Sequence, residues 1–327
     1  MGSQEDKALV NKVFDLYHRI SALPSLKPSA TVDDLFTRLV RLCIPPIPLD
    51  VTALGAPVPA MRARLIRLCG EAEGLLESHY ASLLSASAVN PLDRLSVFPY
   101  YENYLKLSLL EHTILSEHAA RAPENVAFVG SGPLPLTSIV LATRHLRGAR
   151  FHNYDFDAEA NEKAARLVRA DPDLSARMAF HTVDVMDVAA EELRRYDVVF
   201  LAALVGLCRE DKARVIDHLG RHMAPGALLM LRSAHGARAF LYPVVDEADL
   251  RGWFDVLSVF HPEDEVVNSV VIARRRCAVA ENGRARAPGH VQGRCPIVFP
   301  SKCKCMDFGL GHAGRMEEMV IEEQQPS

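Results

Sequence analysis

The chain has 327 residues, 49% of them hydrophobic, enough apolar side chain for more than one core and a length that suggests roughly two domains. A net charge of −4 with a pI near 6.4 gives no basic field to attract nucleic acid. The 7 cysteines are odd in number and scattered, which fits reduced thiols in a cytosolic protein better than a disulfide framework.

The polar, acidic start predicts no signal peptide, and Asp6 stands where a myristoylation signal wants Ser or Thr. Residues 198–207 are apolar but far shorter than the ~20 residues of a membrane span. Residues 7–20 are amphipathic, with Leu9, Val13, Leu16 and Ile20 on one face at helical spacing. Thr31 with Asp34 resembles a capping box and predicts a helix from there to Cys43, ended by the prolines at 45, 46 and 48. Further helices are expected over 60–84, where Leu65, Leu68, Ala72, Leu75 and Leu76 share a side, and over 100–120, where Tyr104, Leu107, Leu110, Ile114 and His118 repeat. Residues 1–120 therefore read as an all-helical domain.

From Asn125 the rhythm becomes strand-helix alternation. Parallel strands are expected over 125–129, 150–154, 178–183, 197–204 and 227–231, with helices over 136–146, 158–170 and 211–222. Strands over 254–260 and 266–273 have no helix between them and are expected to pair antiparallel. This count defines an α/β fold: a Rossmann-type sheet of seven strands, the last pair antiparallel, as in transferases that use S-adenosylmethionine. The domain is expected over 121–276. Residues 277–327 carry no periodicity and read as a disordered tail.

The first strand runs into Gly130-Ser-Gly-Pro-Leu-Pro-Leu-Thr137. Strand, glycine turn and helix form a nucleoside-binding unit, because a Cβ in the turn would keep a ligand from the backbone. The third glycine of the dinucleotide fingerprint is replaced by Pro135, which suits a first helical turn. Asp155 ends the second strand, where a carboxylate can accept both ribose hydroxyls, with Asp157 as the alternative. Asp184 ends the third, where it can accept an adenine amino proton. Either alone reads equally well as a loop cap; together, behind a glycine turn without the full fingerprint, they favour S-adenosylmethionine over NAD. The expected cofactor-binding set is Gly130, Ser131, Gly132, Pro133, Leu134, Asp155, Asp184 and Ala203. Arg232 and Arg238, after the fifth strand, are candidates to clamp a substrate carboxylate, and His235 is a further contact on the same loop.

Together with that turn, Phe98-Pro-Tyr-Tyr-Glu-Asn-Tyr-Leu-Lys-Leu107 and Arg232-Ser-Ala-His-Gly-Ala-Arg-Ala-Phe-Leu-Tyr-Pro243 resemble plant nicotianamine synthases over essentially residues 9–276. The resemblance implies a helical domain that lids the Rossmann-type domain. It implies condensation of three S-adenosylmethionine molecules to nicotianamine and three 5′-methylthioadenosines, with no cofactor beyond that substrate and no catalytic metal. The product is a metal chelator used in metal homeostasis and phytosiderophore synthesis.

Such a reaction needs a base, since the nucleophilic amine is mostly protonated at neutral pH. The helical half offers Glu71, Glu73, Glu77, Glu102 and Glu111. The resemblance implies that Glu77 is the catalytic carboxylate and Tyr104 the hydroxyl that orients the amine. Rival readings are an S-adenosylmethionine-dependent methyltransferase, an aminopropyltransferase, and a non-catalytic sensor. The apolar run Leu201-Ala-Ala-Leu-Val205 argues against the second. Cys303 and Cys305, with Cys295, His290 and His312, match no zinc spacing, and no metal site is expected. Tyr104 to Leu107 and Leu109-Leu110 fit short sorting patterns linked to vesicles by the resemblance, but read first as buried helix positions. The expected setting is cytoplasmic, with no membrane insertion; oligomeric state is left open.

Overall fold

The computed structural model of the chain describes residues 4–47, 49–86 and 90–277. Four helices come first: α1 (Gln4–Ser21), α2 (Ala30–Cys43), α3 (Val58–Ser85) and α4 (Tyr101–His118), with a 3₁₀ turn over Pro91–Val97 between the last two. The α2 cap differs from the expected box. Ser29 is the N-cap and accepts from the Val32 N–H, while Asp34 pairs with Arg38 one turn on in solvent. The serine stands next to the first residue that needs a partner, whereas Thr31 already lies inside the helix.

Seven strands follow: β1 (Asn125–Val129), β2 (Arg150–Asp155), β3 (Met178–Thr182), β4 (Val198–Leu201), β5 (Leu228–Ser233), β6 (Phe254–Phe260) and β7 (Ser269–Arg275). They form one sheet in the order β3-β2-β1-β4-β5-β7-β6, parallel except where β7 runs antiparallel to both its neighbours. The strand order reverses between β1 and β4, and ligands bind outside the carboxyl ends of strands at such a switch. Crossovers are α5 (Leu136–Val140), α6 (Ala158–Val168), α7 (Pro172–Arg177), α8 (Ala190–Leu193) and α9 (Arg209–His222), with α10 (Glu247–Leu250) before β6. The helix expected over 136–146 is α-helical only to Val140. It then widens to a π-turn over Leu141–His145, where the Leu146 N–H reaches Leu141 O at 2.6 Å.

Side-chain alternation along the strands divides the core. Val126 and Phe128 of β1 face α4 and α5 in one cluster, and Ala127 and Val129 face α9 in another. A third cluster joins α1, α2 and α3 to Ala234, Ala237, Phe240 and Leu241, the segment after β5. The described residues thus all belong to one compact unit, with the N-terminal helices sharing apolar contacts with the sheet half. Arg62 of α3 ties the halves further, donating to Ala239 O at 2.5 Å and Tyr242 O at 3.4 Å. No described helix is long and apolar enough to cross a membrane.

Candidate active site

Two sharp turns meet at the switch point. After β1, Gly130 and Gly132 both have positive φ, 79° and 65°. After β4, residues 202–207 fold back so closely that a Cβ on Gly130 would strike the Val205 side chain. A Cβ on Gly132 would lie 2.7 Å from Oε2 of Glu77, a residue of the helical half. Glycine is required at 132 on both counts, backbone conformation and room for that carboxylate.

Of the residues expected to hold a nucleoside, Asp155 meets this turn directly. The Gly132 N–H donates to Asp155 Oδ2 at 2.9 Å and the Asp157 N–H to Oδ1 at 3.0 Å, which fixes the carboxylate across the turn. An ionised carboxylate has about four acceptor positions, so these two bonds leave capacity for ribose hydroxyls. Asp157, the alternative, is occupied as the N-cap of α6, accepting from Glu159 and Ala160. Asp184 caps the short turn after β3, accepting from the Met186 N–H at 2.9 Å. Pro133 and Leu134 are buried beneath the turn, and Ala203 is buried with its carbonyl held by Lys212 Nζ at 2.9 Å. The Ser131 hydroxyl is buried without a hydrogen-bond partner among the described residues. A buried orphan hydroxyl in a glycine turn suits a polar ligand that enters the turn.

Opposite, α3 and α4 bring a carboxylate and a phenol together. Tyr104 OH donates to Glu77 Oε1 at 2.9 Å. Burial drives the Glu77 carboxyl well above the ordinary 4.5, and the neighbouring charges of Glu73 and Asp155 add to it, against the Tyr104 hydrogen bond and the more distant Arg232. The same burial, with Glu77 and Glu73 nearby, raises the Tyr104 phenol well above 10.0 and keeps it a donor. One helical turn before Glu77, Glu73 accepts from Tyr242 OH at 2.9 Å. Glu73 is raised mainly by burial, with the Tyr242 bond and Arg232 opposing.

Arg232 lies inside β5, paired with Val270, rather than after the strand as the sequence suggests. Its Nε and Nη2 donate to the two oxygens of Glu111 at 2.7 and 3.0 Å, and Nη2 also to Thr137 Oγ1 at 2.7 Å. Its fork therefore holds a protein carboxylate, leaving Nη1 outside these bonds. Arg238 donates to the carbonyls of Pro262 and Asp264, and His235 stacks on His261 at 4.0 Å. Both are thereby engaged in the loop itself. Glu111 is one of the five glutamates weighed from sequence, but its pairing was missed. Its signal is position: it occurs within the buried face of α4 with Leu107, Ser108, Ile114 and Leu115, where a lone glutamate requires a cation. Of the sorting patterns, Tyr104 and Leu107 point inward, Leu110 packs against the core, and Leu109 is exposed. The cysteines and histidines at 290–312 lie outside the described residues, among which no group of three metal-binding side chains occurs.

A seven-stranded sheet in this order, with a glycine turn and carboxylates at successive strand ends, defines the class of Rossmann-type transferases that bind S-adenosylmethionine. Within that class the match is specific. A family profile described as "Nicotianamine synthase protein" covers residues 2–280. The chain is 54% identical over 319 residues to nicotianamine synthase of Solanum lycopersicum, spanning 96% of this chain and 98% of that protein. It is 55% identical over 328 residues to nicotianamine synthase 9 of Hordeum vulgare, spanning 98% and 96%. The chain belongs to the nicotianamine synthase family. Among solved structures, that of MtNAS in complex with MTA and tNA aligns at a TM-score of 0.66 with 24% identity, over 81% of this chain and 97% of that one, a likeness of fold.

Proposed function

We propose that the protein is a nicotianamine synthase, condensing three S-adenosylmethionine molecules into nicotianamine with release of three 5′-methylthioadenosines. The observation that carries the reading is the placement of Glu77, from the helical half and held by Tyr104, against the glycine turn of the sheet half. The turn alone would bind the cofactor equally well in a methyltransferase. A carboxylate and a phenol facing it supply what an amine nucleophile needs.

In each transfer an amine lone pair attacks the methylene carbon attached to the sulfonium. The carbon–sulfur bond breaks with its electron pair passing to sulfur, and methylthioadenosine leaves as a neutral thioether. The Glu77 carboxylate frees that lone pair by taking a proton from the ammonium, and the alkylated nitrogen ends as a secondary ammonium. Burial suits Glu77 to this task, because a raised pKa brings a carboxylate closer to the amine it must deprotonate. Tyr104, kept protonated, holds Glu77 by donation and can accept from the amine through its other lone pair. Which sulfonium carbon reacts is a matter of alignment, since a positioned nucleophile at near-contact distance dominates the rate. In this reading Asp155 takes the ribose, Asp184 the adenine amino group, and Ser131 a polar atom of the ligand.

Arg232 then acts through Glu111 and its nearby charge rather than through a full fork on substrate. The reading calls for no metal in the reaction and sets the enzyme in the cytoplasm, supplying a chelator for metal homeostasis. The test is incubation with S-adenosylmethionine alone and mass analysis. Nicotianamine and methylthioadenosine in a one-to-three ratio are expected. S-adenosylhomocysteine appearing only with an added acceptor would make the protein a methyltransferase, and binding without turnover a sensor.

A further inference from the structure

Glu77–Tyr104 is not the only carboxylate–phenol pair on α3, and the second is half-buried. Glu73 and Glu77 are four residues apart, so they lie on the same face of the helix, displaced by about 6 Å along its axis. Glu77 takes its tyrosine from α4, and Glu73 takes Tyr242 from the segment after β5. Arg62 anchors that segment through the Tyr242 carbonyl, so the phenol is held from both ends of its residue. The two pairs share one electrostatic environment: Glu73 acts on Glu77 and on Tyr104, and Tyr104 acts on Tyr242. Neither glutamate forms a salt bridge with a described lysine or arginine. Two carboxylates side by side, one buried and one half-buried, with Arg232 acting on both but ion-paired to Glu111, suit a ligand that brings positive charge.

The ligand of the proposed reaction brings it at matching intervals. Each transfer adds a three-carbon spacer between nitrogens, and four bonds of ~1.5 Å in an extended zigzag span about 5 Å. A growing chain with one nitrogen at Glu77 thus has its next nitrogen within reach of Glu73.

The geometry points to Glu73 and Tyr242 as a second ammonium seat that holds the previous nitrogen of the growing chain while Glu77 and Tyr104 present the reacting one. The inference rests on the nicotianamine synthase reading and names a positioning function within the same site. The first transfer does not use the seat, because no previous nitrogen yet exists. Later transfers depend on it. No proton is transferred at Glu73; it pairs with an ammonium that is already charged.

The full-length enzyme with S-adenosylmethionine tests this by product distribution. Wild type releases three methylthioadenosines per nicotianamine. Glu73→Gln and Tyr242→Phe are expected to raise that ratio at least twofold, with products carrying a single transferred aminocarboxypropyl unit accumulating. Glu73→Asp is expected to restore part of the full-length product. Calorimetric binding of S-adenosylmethionine shows that each variant is folded, and Tyr242→Phe, which removes one oxygen, decides the matter if Glu73→Gln does not fold. A wild-type ratio in Tyr242→Phe and any folded Glu73→Gln overturns the seat. So does loss of all methylthioadenosine release in variants that still bind S-adenosylmethionine, since that places Glu73 in the first chemical step. Absence of nicotianamine with the wild type would instead defeat the reading on which the seat rests.

Discussion

Two neighbouring helices each bury a glutamate against the sheet half, and their surroundings differ. On α4, Glu111 is fully enclosed and meets both arms of the Arg232 fork, with Thr137 completing the set. Burial works against the Arg232 charge, yet Glu111 holds the guanidinium above its ordinary value. On α3, Glu77 has a phenol and the room left by a glycine, and burial pushes its carboxyl up. A matched counter-ion makes a buried carboxylate part of the scaffold; its absence leaves one ready to exchange a proton. The same residue type, on adjacent helices, is directed to structure or to chemistry by whether a cation faces it.

The largest effect that tests this contrast is at Glu77. Glu77→Gln keeps the shape and the Tyr104 contact but removes the base, and general-base loss typically costs about 10²–10⁴ in rate. Product formation should fall by that factor while S-adenosylmethionine binding by calorimetry and the melting temperature stay near wild type. Turnover within a few-fold of wild type would remove Glu77 from the mechanism. In the wild type, the acid limb of the pH–rate profile should lie above 4.5, since the base works only when ionised and its folded value is raised. The sign for stability is opposite: a buried carboxyl held neutral favours the fold at low pH, and that contribution is lost as pH rises through its folded value.

Glu111 should invert the pattern. Glu111→Gln leaves the Arg232 charge buried without its counter-charge, at a cost of about 3–5 kcal/mol in unfolding free energy. Urea denaturation should show this loss, and the double variant Glu111→Leu with Arg232→Met should recover much of it, because an apolar pair of similar volume avoids desolvating either charge. If the double variant is as unstable as the sum of its parts, the pair is not a unit.

The contrast was only half legible in the sequence. The apolar run of β1, the glycine turn and the strand-end aspartates are local patterns and appear where periodicity and turn chemistry put them, whereas the apolar run expected as a strand over 197–204 is strand only over Val198–Leu201 and then turns. The Glu111–Arg232 pair spans 121 residues of chain, and no local pattern states that a strand-five arginine turns inward. The fifth strand is longer than its apolar run, because Arg232 and Ser233 continue the ladder opposite Val270 and Ser269, and Arg232 therefore looked like a loop residue. Gly132 was legible as a turn glycine but not as the space reserved for Glu77, a contact between elements that only the packed fold creates.

The smallest effect concerns a third buried charge, which has no counter-ion among the described residues and no proposed part in the chemistry. Lys212 of α9 is 1% exposed, and its Nζ donates to the carbonyls of Ala202 and Ala203 at 3.0 and 2.9 Å, fixing the turn that crowds Gly130. Burial pulls the amine down to about 7, against an ordinary 10.5. Between those values the unfolded chain keeps a proton that the folded one has lost, so this residue makes the fold gain stability as pH rises from about 7. Below that range both states hold the proton, and the burial penalty is fully felt. Lys212→Met removes the penalty but orphans two carbonyls, a net loss of about 1–3 kcal/mol. Its stability gap to wild type should therefore widen between pH 7 and pH 10, measured by urea denaturation at each pH. A gap that stays constant would mean Lys212 keeps its proton in the folded protein, and that the two carbonyls provide what a carboxylate provides at Arg232.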